Sequence, residues 1–197
     1  MTRIVAGFAG SLRLAVPKSG TRPTSDRVRE AIFSALEAMD AVRGIRVLDL
    51  YAGSGALALE AVSRGACSAV LVEHGAQAAA VCRANAAAVA KAAEKAAGSI
   101  RPGIDVRQST VRAYLGQTGA EFDLVFLDPP YEVTDDDLGG VLASLAPRLA
   151  EEAVVVVERS ARSPEPAWPA TLEPFRAKTY GETAVWFVQP ATPSQPE

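Results

Sequence analysis

The sequence predicts an α/β fold: a doubly wound, mainly parallel sheet, closed by a C-terminal antiparallel hairpin and preceded by a small N-terminal β-hairpin/helix extension. Three observations carry this. From Arg46 onward, short apolar runs alternate with stretches of helical periodicity, the pattern of βα units whose sheet is covered on both faces. The first run leads into a glycine turn, Gly53-Ser54-Gly55. The last part changes character: Leu172 to Tyr180 and Thr183 to Val188 flank Gly181-Glu182 and read as two antiparallel strands.

Taken in order, Arg3 to Val16 alternates loosely and is broken at Ala9-Gly10-Ser11, which reads as a β-hairpin. Pro17 to Pro23 is an irregular loop. Thr24 or Ser25 is placed to cap a helix, and Asp26 suits its positive N-terminal end. Val28, Ala31, Ile32, Ala35, Leu36 and Met39 then recur at helical spacing, and Gly44 ends the unit. Strands are expected near 46–50, 69–73, 104–108, 122–127 and 153–158. Helices are expected near 56–64, 77–90, 110–116 and 135–147, with alanine-rich Ala86 to Ala97 extending or following the second of them. The expected organisation is therefore a hairpin and helix over 1–44, a main domain over 45–188, and a proline-rich, disordered tail over 189–197.

Hydrophobic residues make up 49% of the 197, enough for one core. No apolar run approaches the ~18 residues of a membrane span, and Met1 to Gly10 lacks the basic-then-apolar pattern of a signal peptide. The expected location is the cytoplasm. Cys67 and Cys82, both placed in regular elements, and the lone His74 form no cluster, so no disulfide framework or metal site is expected. Both cysteines read as buried packing residues. The formal net charge of −3 excludes a uniformly basic nucleic-acid binder, yet the charge is asymmetric. Arg3, Arg13, Lys18, Arg22, Arg27 and Arg29 stand against Asp26 alone in the first 29 residues. A basic segment on an acidic domain fits a face that contacts nucleic-acid phosphates. The plainer alternative is a solvated surface.

Gly53-Ser54-Gly55-Ala56-Leu57-Ala58 after a strand is a G-x-G-x-x-A pattern, and Glu73 closes the next strand. This spacing fits a nicotinamide dinucleotide and S-adenosylmethionine alike. Asp49 separates them. A carboxylate ahead of the glycine turn would face a pyrophosphate, and two like charges ~4 Å apart repel by about 4 kcal/mol at an effective dielectric of 20. S-adenosylmethionine presents an ammonium and a sulfonium instead. Asp49, Tyr51, Gly53, Gly55 and Glu73 are accordingly assigned to an S-adenosylmethionine site. Asp49 serves the methionine end, directly or through the loop backbone, and Glu73 the ribose hydroxyls; the plainer alternative is that both are strand-end carboxylates capping neighbouring turns. After the third strand, Arg107-Gln108-Ser109-Thr110 offers no carboxylate for the adenine amine. Thr110 or Ser109 is the candidate there, or merely a helix cap.

The second cluster is Asp128-Pro129-Pro130-Tyr131 at the end of the fourth strand. The exocyclic amine of a base is a poor nucleophile because its lone pair is delocalised into the ring. A carboxylate and a carbonyl accepting its two N–H groups favour a more tetrahedral, reactive nitrogen. Asp128 supplies the carboxylate, Pro129 a carbonyl on a stiff backbone, and Tyr131 a stacking face for a flipped base. The alternative is a rigid turn ending a strand. Cysteine chemistry is disfavoured, since neither Cys67 nor Cys82 falls near the clamp.

These residues resemble the RsmD family of 16S ribosomal RNA guanine-N2 methyltransferases. The resemblance runs over most of residues 2 to 188. It includes Arg3-Ile4-Val5-Ala6-Gly7, Thr21-Arg22-Pro23-Thr24-Ser25-Asp26-Arg27-Val28-Arg29-Glu30, Leu48 to Leu57, Leu59-Glu60-Ala61, Ser63 to Ala66, Val72-Glu73, Asn85, Asp128 to Tyr131, and Lys178-x-Tyr180-Gly181-x-Thr183. It implies a seven-stranded, Rossmann-like class I methyltransferase sheet and methyl transfer to N2 of a guanine in 16S rRNA. The expected partner is the small ribosomal subunit or its assembly intermediate, and the expected state a monomer. The N-terminal hairpin and helix would form an RNA-facing flap. The chain departs from the family's pattern at Gly75 and Thr110, where acidic residues are common. Two other readings share parts of this pattern: an adenine-N6 methyltransferase using the same clamp, and a non-catalytic RNA-binding module.

Overall fold

The computed structural model of the chain describes residues 2–17, 25–97, 101–117 and 119–192. β1 (Thr2–Arg3) and β2 (Arg13–Leu14) form a short antiparallel ladder, and α1 (Asp26–Ala38) follows. Then come β3 (Arg46–Leu50), α2 (Ala56–Ser63), β4 (Ser68–Glu73), α3 (Ala76–Ala97), β5 (Gly103–Gln108), α4 (Val111–Leu115), β6 (Phe122–Leu127) and α5 (Asp135–Leu145). A 3-10 turn leads into β7 (Leu149–Ser160), and β8 (Leu172–Tyr180) and β9 (Thr183–Pro190) complete the sheet.

The large sheet has seven strands in the order β5-β4-β3-β6-β7-β9-β8. β3 to β7 run parallel, and β9 is antiparallel to both of its neighbours. This is the predicted architecture. Strand order reverses direction between β3 and β6, and such a switch point opens a crevice beyond the carboxyl ends of the strands. Alternation in β3 supplies both cores. Val47 packs with α1, α2 and α3 on one face, while Leu48 and Leu50 pack with α4 and α5 on the other.

α3 is one helix of 22 residues, so the alanine-rich stretch extends the second helix, because its alanines are strong helix formers and nothing breaks the run. Two boundaries differ from expectation. β7 spans 12 residues. β9 continues through Pro190, with Gln189 and Pro190 registered opposite Glu173 and Leu172, so the sheet claims the start of the expected tail; residues 193–197 lie outside the described part.

The N-terminal segment is built into the body. Ile4, Ala9, Leu14, Ile32, Phe33 and Leu36 share one apolar cluster with α2 and α3. Glu60 of α2 is fully buried and accepts from Val5 N at 2.6 Å and Ala6 N at 2.9 Å. Ser63 Oγ accepts from Ala9 N at 3.0 Å and donates to Ala6 O at 2.6 Å. Gly7, at φ +80°, passes so close to Ser63 O that a Cβ would lie 1.9 Å from it. Only glycine fits there.

One expectation is corrected. Cys67 sits in the turn before β4 and is exposed, donating to Ile45 O at 3.2 Å. Cys82 is buried as expected, and burial pushes its thiol up to about 12. Among the described residues no helix is long and apolar enough to cross a membrane.

Candidate active site

β3 and β6 are paired with Leu50 opposite Leu127, so the loops beginning at Tyr51 and Asp128 leave the sheet side by side. Beyond them lies a cavity of about 1000 Å³, lined by Asp49, Tyr51, Gly53, Glu73 and Thr110. Each is held for a local reason. Asp49 points to the α2 side of the sheet, where Gly55, the N-cap of α2, has no side chain to satisfy the first N–H groups. Asp49 Oδ2 accepts from Ala58 N at 3.2 Å and caps the helix from the neighbouring strand. Gly55 itself, at φ +79°, is excluded from wider chemistry by packing: a Cβ would lie 2.8 Å from Leu71 Cδ2 and 3.0 Å from Cys82 Sγ. Its part is to turn the chain, while Gly53 lines the cavity.

Glu73 orients the glycine loop. Its Oε2 accepts from Gly53 N at 2.9 Å and its Oε1 from Gly75 N at 2.6 Å, which leaves further lone pairs on both oxygens. Gly75 is therefore not an empty substitute for an acidic residue; its amide helps to fix Glu73. Tyr51 adopts φ 70°, a left-handed conformation rare for a side-chain-bearing residue, at the point where β3 turns into the loop. Strain of this kind collects at binding sites. Burial, with Asp137 adding to it, raises the Tyr51 hydroxyl. Thr110 lines the cavity, but its Oγ1 accepts from Ala113 N at 3.2 Å and caps α4.

The donor set is strongly acidic. Asp49, Glu73, Asp128, Glu132 and Asp137 line the cavity against Arg112 and His74. Burial, opposed by the Ala58 hydrogen bond and reinforced by Asp128 and Glu73, raises Asp49 from 3.8 to about 8. With Asp49 set aside, Glu73, Asp128, Glu132 and Asp137 still make the lining one that opposes a pyrophosphate and fits the cationic cofactor that the sequence suggests.

Asp128 lies at a junction. It and Pro130 line the large cavity and also a second cleft of about 330 Å³, into which Pro129 and Tyr131 face. Tyr131 is 75% exposed, an aromatic ring presented to solvent. The rest of the cleft comes from far along the chain: Ser25 and Val28 of α1, Glu158 and Arg159 of β7, and Tyr180 and Thr183 of the terminal hairpin. The late Tyr180-Gly181-x-Thr183 pattern thus belongs to this cleft.

The basic candidates divide. Arg3, Arg13 and Arg27 are exposed, with Arg3 Nε 3.5 Å from Asp26. Lys18 and Arg22 lie outside the described residues. Arg29 is corrected: it is fully buried and donates through Nη2 to Arg3 O and to Asp26 Oδ1, with Nε 3.7 Å from Glu60. It anchors the N-terminal segment to α2 and is removed from the RNA-contact set.

Other site residues were given no role by sequence reasoning, although Asn85 is among those that carry the family resemblance. Val16 and Pro17 line the large cavity. Asn85 holds them there: it is buried on α3, accepts from Ala15 N at 2.9 Å, and donates to Ala15 O at 2.9 Å and Ser54 O at 2.8 Å. A lone amide on an alanine-rich helical face was the available signal. For Val16 and Arg159 the sequence offered none.

A doubly wound sheet with an acidic glycine-loop cavity at its switch point, sharing an Asp-Pro-Pro-Tyr loop with a second cleft, defines a Rossmann-like methyltransferase. The profile of the family described as conserved hypothetical protein 95 matches residues 2–189. The chain belongs to this family, the RsmD family that its sequence resembles. It is 35% identical over 186 residues to ribosomal RNA small subunit methyltransferase D of Escherichia coli (strain K12), covering 92% of this chain and 86% of that protein. A solved E. coli chain, a putative methyltransferase, superposes with a TM-score of 0.80 at 32% identity, covering 96% of this chain and 97% of its own length. A hypothetical protein of Thermus thermophilus gives 0.75 at 30% identity, covering 96% and 99%.

Proposed function

We propose that this chain transfers the methyl group of S-adenosylmethionine to the exocyclic N2 amine of a guanine in 16S rRNA. Its substrate would be the small ribosomal subunit or an assembly intermediate, and the chain would act as a cytoplasmic monomer. The observation that carries the reading is Asp128 standing where the acidic cavity meets the aromatic cleft. Membership of a family whose E. coli member is named for small-subunit rRNA supports the substrate. The choice of guanine over adenine rests on that family.

The cofactor, when bound, supplies the electrophilic methyl group. Asp49 and the Gly53 loop would hold its cationic end, and Glu73 would take the ribose hydroxyls. Tyr131 stacks the flipped base, a contribution of about 1–3 kcal/mol. Asp128 and the Pro129 carbonyl accept the two N–H groups of the amine, so its lone pair turns toward the cavity. As the nitrogen becomes cationic, the Asp128 carboxylate holds the proton that must leave. No covalent bond to the protein is formed.

The test is a labelled-methyl assay on small subunits from cells lacking this activity, followed by nucleoside analysis. Label in N2-methylguanosine is expected. Label in N6-methyladenosine would overturn the guanine assignment, and no transfer to subunits would overturn the substrate.

A further inference from the structure

The loop from Asp128 to Thr134 is a wall with two faces. Glu132 and Val133 face the large cavity, Pro129 and Tyr131 face the cleft, and Asp128 and Pro130 face both. Pro129 is buried and Val133 packs on the core, while Tyr131 and Glu132 between them are exposed. One bond inside it, Val133 N to Pro130 O at 3.0 Å, shapes the turn. A further hold comes from Arg159 near the end of β7. Its Nη1 donates to Val133 O at 3.0 Å and its Nη2 to Asp135 Oδ1 at 3.0 Å, where α5 begins. The Arg159 side chain is only 9% exposed, and it also lines the cleft.

Arg159 Nε is buried with no hydrogen-bond partner, as are Nε and Nη1 of the structural anchor Arg29. What sets Arg159 apart is its place: it holds the clamp loop on one side and lines the cleft on the other. The planar guanidinium grips the loop carbonyl and the helix carboxylate in one fixed plane, which a lysine cannot do.

We propose that Arg159 is a positioning residue for methyl transfer, setting the clamp loop so that Tyr131 and the Pro129 carbonyl meet the base. This rests on the methyltransferase reading above. Arg159 acts through the loop, so its effect depends on what the loop carries.

Two measurements test it on the full-length protein. The first is amide hydrogen exchange, which needs no substrate. Arg159→Ala and Arg159→Lys should speed exchange at Tyr131, Glu132 and Val133 while leaving β3 and β4 unchanged; unaltered exchange in the loop overturns the proposal. The second is a double-mutant cycle on unmethylated small subunits. Arg159→Lys should lower kcat/KM by about 10- to 100-fold, the scale of a small misplacement, with S-adenosylmethionine affinity held within about threefold by calorimetry. In a Tyr131→Ala background the same substitution should cost less than about threefold, since coupled residues are not additive. Full additivity would overturn action through the loop. Wild-type protein inactive on subunits would instead fail the substrate reading, and the exchange experiment would still decide the role of Arg159.

Discussion

The large cavity and the cleft share Asp128 but are built differently. In the cavity, of about 1000 Å³, Asp49 and Glu73 already accept backbone N–H groups and Gly53 is held by Glu73. In the cleft, of about 330 Å³, Tyr131 is 75% exposed and the walls come from α1, β7 and the terminal hairpin. One side is organised before its ligand arrives. On the proposed reading the other would be finished by its ligand, a base stacking on the exposed Tyr131 ring. The N-terminal segment touches both, through Val16 and Pro17 at the cavity and through Ser25 and Val28 at the cleft. Asn85 ties its β-hairpin end to the glycine loop.

The largest expected effect sits where the two meet. Asp128→Ala should lower methyl transfer by roughly 100- to 1000-fold, the usual cost of removing one group that stabilises developing charge, and leave cofactor affinity within about threefold. Equal loss of cofactor binding would place Asp128 in the cavity alone and break the comparison.

Asp49 sharpens the cavity side through pH. In the empty protein it is neutral up to about 8, while a cationic cofactor favours the anion. Binding then expels a proton, and affinity should climb with pH, by up to about tenfold per unit, before levelling above pH 8. Calorimetry across buffers of different ionisation enthalpy reads the proton directly; Asp49→Asn should flatten the profile. Stability moves the other way. The fold holds a proton that the unfolded chain releases above its ordinary 3.8, so this contribution is full below that pH and is lost as pH rises through about 8.

Tyr131→Ala probes the cleft. Loss of stacking should weaken RNA binding by about 1–3 kcal/mol, read as a higher KM for subunits with cofactor affinity unchanged. The smallest effect is at the rim. Arg27→Ala should reduce the salt slope of RNA binding by about one and leave transfer at saturating RNA intact. An unchanged slope would remove Arg27 from the RNA face.

The sheet was legible because each strand carries its own signal. Val47 to Leu50 and Phe122 to Leu127 are apolar runs ended by residues that must turn, and βα alternation leaves few ways to pair them. Asp49, Glu73 and Asp128 were legible for the same reason: strand-end carboxylates next to stiff or glycine-rich turns lie at the carboxyl edge of a parallel sheet whatever else the chain does. Arg29 was misread because charge alone cannot separate a surface arginine from one that folds back on Glu60 of a later helix. Whether Ala86 to Ala97 extends or follows the second helix stayed open in the sequence, because composition marks no boundary in an alanine run; the structure shows the extension.

By itself, then, the sequence determined the α/β order, the glycine turn, the acidic strand ends and the stiff Asp128-Pro129-Pro130-Tyr131 loop, all set by contacts within a few residues or by the periodicity of one element. The tertiary structure alone decided that Asp128 serves two spaces, that Asn85 and Glu60 bind the N-terminal segment into the body, that Thr110 caps a helix, and that Arg159 grips the clamp loop. Those are pairings between distant residues or choices among local roles, and they are settled only when burial makes one hydrogen-bond partner available and removes water as the alternative.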